Sequence, residues 1–256
     1  MRMLSYPCLI EKMEDIKIIK VDETSSTNVL MREYSGEEGR LMTVGVAAFQ
    51  SAGRGQGENK WESERGKNLT FSIKVYPVAL PVMRQYVMLE AESLAIRDAL
   101  AGYVDDITIK WPNDIYWRDK KISGTLSECT ISGSHVGSCI LGTGINLNQR
   151  EFVSDAPNPV SLSQILGRDI DADEVLGVLL RRFEVYLGMV NEGRYDEVAS
   201  LYSAALYRRS GRHAYKDAGG DFMAELECIE PDGHLVLRRD DGSLSRYAFK
   251  EVKYVL

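Results

Sequence analysis

The sequence predicts an α+β fold: a mixed or antiparallel sheet with flanking helices, followed by a small all-β domain. β-branched and alternating apolar segments fill much of the chain before residue 145, and apolar residues recur at helical spacing after residue 160. Beyond residue 210, the Asp-Gly pairs 232–233 and 241–242 separate short alternating strands, as in successive β-hairpins. We therefore expect two domains, residues 1–209 and 210–256.

The first part of the chain predicts three strands and a short helix. Residues 16–21 are mostly β-branched and predict a strand, and the hydroxyl residues 25–27 offer N-cap side chains for a helix that reaches Tyr34. The near-continuous apolar run 41–49 predicts a strand that is covered on both faces. The alternation over 68–76 predicts a half-buried strand.

The middle of the chain predicts a long helix and then several strands. Residues 82–103 carry one apolar helical face, formed by Tyr86, Leu89, Ser93, Ile96 and Leu100, in which Ser93 is the weak point. Residues 107–111 alternate into a turn at Pro112, which restricts its predecessor to extended geometry. The next strands are expected at 115–117 and 122–131, as a hairpin, and at 136–145.

Helices follow, and then the all-β part. Helices are predicted over 160–167, 173–191 and 194–206, the second with an apolar stripe of Val175, Leu179, Phe183 and Leu187. In the last part of the chain, residues 235–237 and 246–249 alternate and predict two strands beside the Asp-Gly turns.

Composition excludes several classes of protein. A chain of 256 residues with 44% hydrophobic and 27% charged residues can bury a substantial core. Its net charge of −7 argues against general nucleic-acid binding, which usually leaves a basic excess. No window approaches the roughly 18 apolar residues that span a bilayer, and residues 1–14 lack the apolar segment of a signal peptide. We expect a cytoplasmic protein that binds neither nucleic acid nor membrane.

The cysteines and histidines predict neither a zinc site nor a catalytic thiol. No two cysteines form a CxxC pair, and the histidines at 135, 213 and 234 add no zinc-ligand spacing. We expect reduced thiols, buried or half-buried, at Cys8, Cys129, Cys139 and Cys228.

The glycine-rich run from Gly53 to Trp61, GRGQGENKW, is the first candidate functional segment. Its glycines let the backbone come close to a bound group, and successive N–H groups of such a loop can converge on an anion. Arg54 adds a planar cationic fork that suits phosphate or carboxylate. A glycine-rich surface turn is the alternative. The run lacks the ending of a P-loop, and its third glycine comes too soon for a dinucleotide-binding GxGxxG.

Three further motifs accompany this run: ETSSTN at 23–28, KWPNDIYWRDKKISG at 110–124 and GTGINLN at 142–148. In this order and combination, the four motifs resemble those of biotin–protein ligases, from about residue 18 to the C-terminus. The resemblance implies a class II synthetase-like catalytic domain followed by an SH3-like β-barrel. Since only about 15 residues precede the first strand, we expect a biotin–[acetyl-CoA-carboxylase] ligase without the N-terminal DNA-binding domain of its bifunctional relatives.

The resemblance also implies a reaction in two steps. Biotin and ATP, with Mg²⁺, form biotinyl-5′-AMP, and a lysine of a biotin carboxyl carrier domain of a carboxylase then displaces AMP. Because a carboxylate must approach a polyanion, the first step needs fixed cations where water is excluded. The catalytic candidates are Arg54, on the glycine-rich run, and Lys121, which is expected to bridge the biotin carboxylate and the phosphate. A solvated hairpin lysine beside Lys120 is the alternative for Lys121.

The matching motif positions supply the remaining binding candidates. For biotin these are Ser26, Thr27, Asn28, Gln50, Gly53, Gly55, Trp61 and Gly124. For the nucleotide they are Arg54, Gln56, Trp111, Asn113, Asp114, Lys121 and Asn146, and the sequence holds no dedicated cage for Mg²⁺. Gly142 and Gly144 are expected to permit close approach to a ligand. As alternatives, residues 26 and 27 can cap a helix, Trp61 can be a core aromatic, and residues 113–114 can form a turn.

The glycine-rich run departs from the family pattern at one position, since many members carry a second arginine where this chain has Gln56. Glu58 lowers the positive charge further, so retention of the adenylate depends more on Lys121 or on another basic residue. The run is also expected to order as a lid over the water-sensitive adenylate.

Two rival functions and two oligomeric states are compatible with the sequence. The rivals are a lipoate– or octanoate–protein ligase of the same fold, and a non-catalytic biotin-binding sensor. The chain is compatible with a monomer or a homodimer.

Overall fold

The computed structural model describes residues 15–34, 40–57, 59–153 and 158–255. Within these residues a mixed seven-stranded sheet carries helices, and a five-stranded sheet follows it. The predicted α+β class with a mixed sheet is therefore confirmed. The expectations for residues 1–14, Cys8 among them, and for Glu58 lie outside the described residues.

The first sheet contains all the strands that the sequence predicts before residue 146. They are β1 (Ile16–Thr24), β2 (Met42–Gln50), β3 (Leu69–Val75), β4 (Ile107–Lys110), β5 (Asp114–Trp117), β6 (Lys120–Ser132) and β7 (His135–Ile145). Their order across the sheet is β1-β2-β3-β7-β6-β5-β4. β1 and β2 are parallel, and the other neighbouring pairs are antiparallel. The motif at 142–148 therefore begins on a central strand.

Strand β3 is more deeply buried than the sequence predicts. The alternation over 68–76 predicts a half-buried strand, but β3 lies between β2 and β7 and is buried along nearly its whole length. Its polar residues are covered as well: the Ser72 hydroxyl donates to Thr27 and Asn28. The polar positions of β3 therefore face a buried polar layer, and this layer replaces the solvent that the alternation suggested.

The described residues contain five α-helices and a 3₁₀ turn, Val82–Arg84. The helices are α1 (Thr27–Glu33), α2 (Val87–Ala101), α3 (Leu162–Leu166), α4 (Ala172–Asn191) and α5 (Tyr195–Ala204). The single helix predicted over 82–103 is thus interrupted before α2. Because α2 lies against the sheet, α4 and α5, it is buried on most sides, whereas the sequence predicts one apolar face. The apolar stripe predicted on α4 is buried, as expected.

Helices α1 and α2 lie on opposite faces of the sheet. Neighbouring residues of a strand point to opposite faces. On β7, Gly142 faces Asn28 of α1, whereas the hydroxyl of Thr143 donates to Glu92 of α2. The sheet thus separates the apolar layer around α2 and α4 from a polar layer beside α1.

The C-terminal part forms an antiparallel sheet in the order β11-β10-β9-β8-β12. Its strands are β8 (Arg212–Asp217), β9 (Gly220–Ile229), β10 (Leu235–Arg239), β11 (Leu244–Tyr247) and β12 (Lys253–Tyr254). Both Asp-Gly pairs lie at hairpin turns, where Gly233 and Gly242 have φ of +91° and +82°. Glycine adopts this conformation without strain, so both predicted hairpins are confirmed.

Two further sequence expectations concern the cysteines and the membrane. The described cysteines, Cys129, Cys139 and Cys228, are free thiols, as expected, but Cys228 is exposed. No helix in the described part of the chain is long and apolar enough to cross a membrane.

Candidate active site

A cleft beside α1 collects residues from all four motifs. The predicted site residues that line it are Ser26, Thr27, Asn28, Gln50, Arg54, Gly55, Gln56, Trp61, Asn113, Asp114, Lys121 and Gly124. Gly142 and Gly144 line it too, together with residues that the sequence did not single out: Asn59, Lys60, Thr125, Leu126, Thr143 and Phe249.

The first turn of α1 is held by Gln50. Its Oε1 accepts hydrogen bonds from the Thr27 backbone N–H at 2.7 Å and from the Thr27 hydroxyl at 3.2 Å. Ser26 stands at the N-cap position, but its side chain makes no capping bond. The capping alternative for Ser26 and Thr27 is therefore wrong. Gln50 performs that task from β2 and leaves the Ser26 side chain at the cleft.

Asn28 is fixed deeper in the cleft by several elements. Its Oδ1 accepts from the Ser72 hydroxyl at 2.6 Å, and its Nδ2 donates to Glu128 Oε2 at 3.1 Å. Asn28 is only 2% exposed. An ideal Cβ on Gly142 would lie 1.7 Å from Asn28 Oδ1. Gly142 therefore leaves room for Asn28, a role that the sequence did not indicate.

Trp61 covers the next glycine of β7. An ideal Cβ on Gly144 would lie 2.1 Å from Trp61 Cε2, so the indole ring lies directly on the strand. The ring is half-buried at the cleft wall, and its N–H is buried without a partner among the described residues. A buried, unpaired donor is costly. A polar atom of a bound molecule would satisfy it.

A β-bulge brings Lys121 to Gly124. In a regular strand, residues three apart point to opposite faces. The register between β5 and β6 shifts between Ile115 and Tyr116, and Lys121 Nζ lies 3.1 Å from the ideal Cβ position of Gly124. The spacing of lysine and glycine in the motif thus matches a bulge that directs both into the cleft.

Lys121 forms an ion pair with Asp114 at the cleft. The Nζ–Oδ1 distance is 2.6 Å, and the two side chains are 23% and 22% exposed. Lys120, next in the chain, is exposed. The solvated-lysine alternative for Lys121 is therefore wrong.

Arg54 reaches Glu128 of β6. Its Nη2 donates to Glu128 Oε1 at 2.6 Å, while Arg32 donates to Oε2 at 2.7 Å. Burial raises the pKa of Glu128, but hydrogen bonds from Arg32, Asn28 and Arg54 outweigh it and hold the pKa below its usual value. The Glu128 carboxylate thus fixes the side chains of both Arg54 and Asn28. The sequence does not indicate this role of Glu128, because a single acidic residue in a strand matches no motif.

The described residues of the glycine-rich run, 53–57 and 59–61, pair with each other as the two arms of a tight hairpin. The Trp61 N–H donates to the Gly53 carbonyl at 3.0 Å, and the Gly55 N–H donates to the Asn59 carbonyl at 2.7 Å. Gly57, near its tip, has a φ of +68°. Two N–H groups that were expected to be available to an anion are therefore bonded within the hairpin.

Two tyrosines position the turn of the KWPND motif. The hydroxyls of Tyr86 and Tyr202 donate to the Pro112 carbonyl at 3.1 and 2.9 Å. The Asn113 amide donates to the Thr125 carbonyl. The turn is thus anchored to the helical layer while it delivers Asn113 and Asp114 to the cleft.

Three predicted site residues do not line the cleft. Gly53 and Asn146 are buried beside it. Trp111 lies in an adjoining cavity, where its indole N–H donates to the Gly233 carbonyl at 2.9 Å and its ring centroid is 6.3 Å from that of Phe249. Trp111 therefore joins the first sheet to the C-terminal sheet.

Glu92 lies behind the cleft, on α2. The Thr143 hydroxyl donates to Glu92 Oε1 at 2.6 Å and lies 2.8 Å from the Thr125 hydroxyl. Glu92 is fully buried, and its Oε2 has no partner among the described residues. Burial raises the pKa of Glu92 to about 8, and the hydrogen bond from Thr143 offsets this only in part. The carboxyl group is therefore protonated at neutral pH and puts no negative charge beneath the cleft.

Replacing Glu92 with glutamine should flatten the dependence of stability on pH. The folded carboxyl stays protonated to about pH 8, whereas an unperturbed one ionises near 4.5. Its contribution to stability is fully present below pH 4.5 and is lost as the pH rises towards 8. The loss is at most about 1.4 kcal/mol per pH unit. Urea unfolding across this range should show that the free energy of unfolding falls more steeply with pH in wild type than in E92Q.

The control for this experiment is E184Q, which changes an exposed glutamate on α4. We expect the free energy of unfolding of E184Q to change with pH as that of wild type does. If the free energies of unfolding of wild type and E92Q stay parallel across the range, Glu92 is ionised in the folded protein and the assignment is wrong.

Comparison with known proteins identifies the family. The model of the biotin/lipoate A/B protein ligase family matches residues 20–146. The bifunctional ligase/repressor BirA of Bacillus spizizenii is 30% identical over 239 residues, which cover 90% of this chain and 72% of that protein. This chain belongs to the biotin–protein ligases.

Other ligases agree with this assignment. The biotin–[acetyl-CoA-carboxylase] ligase of Mycobacterium tuberculosis is 27% identical over 223 residues, covering 85% of this chain and 81% of that one. The structure of a biotin protein ligase from Aquifex aeolicus in complex with biotin and ATP has a TM-score of 0.75 and 26% identity, covering 93% of this ligase and 99% of that chain. The expected family and enzyme class are confirmed.

Proposed function

We propose that this ligase activates biotin with ATP and transfers it to a lysine of a biotin carboxyl carrier domain. The observation that carries the proposal is the meeting of two cations from separate elements, Arg54 and Lys121, in one cleft. Two fixed cations suit a reaction between two anions. The Aquifex ligase binds biotin and ATP, which supports the same substrates here.

In the first step, a carboxylate oxygen of biotin attacks the α-phosphorus of ATP. The new O–P bond forms while the bond from the α-phosphorus to the bridging oxygen breaks, and pyrophosphate leaves with that electron pair. Lys121 suits the point between carboxylate and phosphate because an ammonium has three donors, and Arg54 offsets charge on the phosphate side. Asp114 and Glu128 now hold these cations, so the substrates would take over these contacts.

The polar wall of the cleft suits the ring of biotin. Gln50 and Thr27 are fixed by their mutual hydrogen bonds, and Ser26 has a hydroxyl that caps nothing. These groups suit the ureido group of biotin, with Asn28 deeper in the same wall. Trp61 adds an apolar face for the valeryl chain and an unpaired indole N–H.

In the second step, the carrier lysine attacks the acyl carbon of biotinyl-5′-AMP. A C–N bond forms, the C–O bond to the phosphate breaks, and AMP leaves while the amine loses a proton. Water would compete with the lysine, so the cleft must exclude it.

Mg²⁺ would accompany ATP, and oxygen atoms at the cleft could serve as its ligands. Asp114 offers a carboxylate and Asn113 an amide oxygen, and Mg²⁺ bound with substrate phosphates needs only one or two protein ligands. Bound there, the ion would neutralise phosphate charge. A cluster of Glu230, Asp232 and His234 lies elsewhere among the described residues. Arg246 already donates to Asp232 and contacts His234 at 2.9 Å, so that cluster is an ion-pair network.

We also assign residues 1–209 to a catalytic domain and 210–256 to an SH3-like β domain. The antiparallel sheet that begins at Arg212 supports this division.

The test is transfer of labelled biotin to a purified carrier domain in the presence of ATP and Mg²⁺. We expect the label on the carrier, and none on a carrier whose acceptor lysine is replaced by arginine. Biotin binding without transfer would indicate a sensor. Transfer of lipoate in place of biotin would indicate a lipoate–protein ligase.

The glycine-rich hairpin should resist proteolysis when both substrates are bound. It carries trypsin sites at Arg54 and Lys60, both exposed. Closure of the hairpin over an adenylate would protect both sites, because ordering of a segment removes the open states that a protease cuts. Limited trypsinolysis with and without biotin and ATP measures this.

Cleavage after Lys216, near the β8–β9 turn, is the internal control and should not change with ligand. Equal cleavage rates at Arg54 and Lys60 with and without the two substrates would show that the hairpin is not a lid.

A further inference from the structure

Strands β6 and β7 place two cysteines directly opposite each other. Cys129 of β6 pairs with Cys139 of β7, and their Sγ atoms lie 2.8 Å apart. The Cα atoms of opposite residues in an antiparallel pair are about 4.5 or 5.5 Å apart, which is within the roughly 4.4–6.8 Å that a disulfide accepts. Both cysteines are free thiols. They can therefore form a disulfide without a change in the register of the two strands.

The two thiols differ in access and in acidity. Cys129 is half-buried and lines the adjoining cavity that holds Trp111, which has a volume of about 290 Å³, whereas Cys139 is buried. The hydrogen bond between the thiols lowers the pKa of Cys129, and the same bond together with burial raises the pKa of Cys139. In redox-sensitive pairs, an accessible thiol of lowered pKa reacts first and a neighbouring thiol then resolves it.

Cys228, the other described cysteine, has exposure without this activation. Burial of its thiol and the nearby carboxylates of Glu230 and Glu227 raise its pKa. Because the thiolate is the reactive form, we expect Cys228 to react more slowly than Cys129 although it is more exposed.

The cysteine pair lies beneath the cleft. Glu128 directs its carboxylate to Asn28 and Arg54 on the cleft side of the sheet, and neighbouring residues of a strand point to opposite faces. Cys129 therefore lies on the other face, next to the residue that fixes Asn28. Since an S–S bond is only about 2.05 Å long, a disulfide would draw β6 and β7 together beside Glu128 and shift its hold on Asn28.

We propose that Cys129 and Cys139 form a redox-active dithiol that a hydroperoxide converts to a disulfide, and that this disulfide weakens the binding of biotin. The Cys129 thiolate attacks the terminal oxygen of the hydroperoxide. An S–O bond forms and the O–O bond breaks, and the alcohol, or water from hydrogen peroxide, leaves with the proton that the Cys129 thiol released. The Cys139 sulfur then attacks Cys129 Sγ. The S–S bond forms, the S–O bond breaks, and water leaves with the proton of Cys139. The two sulfurs lose two electrons, which reduce the O–O bond.

Mass spectrometry tests the formation of the disulfide. Trypsin releases both cysteines on one peptide, residues 122–150, because this segment has no lysine or arginine before Arg150. After hydrogen peroxide and then alkylation, the peptide should be two hydrogen atoms lighter than its reduced form and should carry no alkyl group. Dithiothreitol should restore two alkylated cysteines. Cys228 lies on a separate peptide, residues 217–238, and should remain alkylated in the same sample.

Calorimetric titration measures the consequence for biotin. We expect the Kd of biotin to rise about tenfold in the oxidised protein, the scale for one lost hydrogen bond to a polar ligand, and to recover with dithiothreitol. Cys129→Ser, a nearly isosteric change, should bind biotin as wild type does and should keep that affinity after peroxide. Its insensitivity would also show that oxidised methionines are not the cause. The matched control Cys228→Ser should lose affinity on oxidation as wild type does.

Two results would overturn the inference. If peroxide oxidises Cys228 while both cysteines of residues 122–150 can still be alkylated, the pair is not redox-active. An unchanged Kd of biotin in the fully disulfide-linked protein would exclude the effect on the cleft. The weaker binding rests on the proposed function, whereas the disulfide does not. A protein that binds biotin but catalyses no pyrophosphate exchange would contradict the proposed function and leave both measurements on the cysteine pair intact.

Discussion

Replacing Lys121 with alanine is expected to slow biotin-dependent ATP–pyrophosphate exchange by about 10²-fold or more, the scale for loss of one preorganised electrostatic group. The bulge in β6 directs this ammonium to Gly124, where Asp114 now holds it. No other lysine is positioned on that strand to replace it, since Lys120 is exposed. Exchange of labelled pyrophosphate into ATP at saturating substrate measures the effect.

Lys120→Ala is the matched control for Lys121→Ala. It removes the neighbouring lysine of β6 and should exchange at the wild-type rate. Both variants should keep the free energy of unfolding within about 1 kcal/mol, because a partly exposed ion pair contributes little to stability. Near-normal exchange by Lys121→Ala would remove this residue from the mechanism.

Replacing Gly142 with alanine is expected to weaken biotin binding by at least tenfold, roughly the effect of one lost hydrogen bond to a polar ligand. The new Cβ would lie 1.7 Å from Asn28 Oδ1. Asn28 cannot move cheaply, because Ser72 and Glu128 hold both ends of its amide. We also expect a loss of stability of about 1–3 kcal/mol, as in other overpacked interiors. Calorimetric titration with biotin and urea unfolding measure the two effects.

Gly137→Ala makes the same change on the same strand. There the new Cβ would lie 3.2 Å from Thr130 Oγ1, which requires only a small adjustment. This control should bind biotin as wild type does. If Gly142→Ala binds biotin equally well, then the position of Asn28 is unimportant for the cleft.

Much of the fold follows from local patterns in the sequence. The strands and helices around the motifs lie within a few residues of their predicted ends, and both Asp-Gly hairpins form. Local patterns do not predict the burial of a segment by others that are distant in the chain. β3 is covered on both faces by neighbours that the alternation does not reveal, and α2 is enclosed by two other helices.

The sequence predicts those residues of the candidate site that belong to a motif. It does not predict the residues from other parts of the chain that hold them in place. Arg54 and Lys121 belong to motifs, and both line the cleft. Glu128, Ser72 and Glu92 do not belong to motifs, yet they hold Arg54, Asn28 and Thr143. Each of these pairs joins residues that are far apart in the chain, so only the tertiary structure shows them.

Activation of biotin by ATP is tested most directly by ATP–pyrophosphate exchange with the purified protein and Mg²⁺, comparing biotin, lipoate and octanoate. We expect exchange with biotin and none above background with the other two acids. Exchange with lipoate or octanoate in place of biotin would contradict the substrate. Measurable biotin binding without exchange for any of the acids would contradict the first step itself and leave a biotin-binding protein.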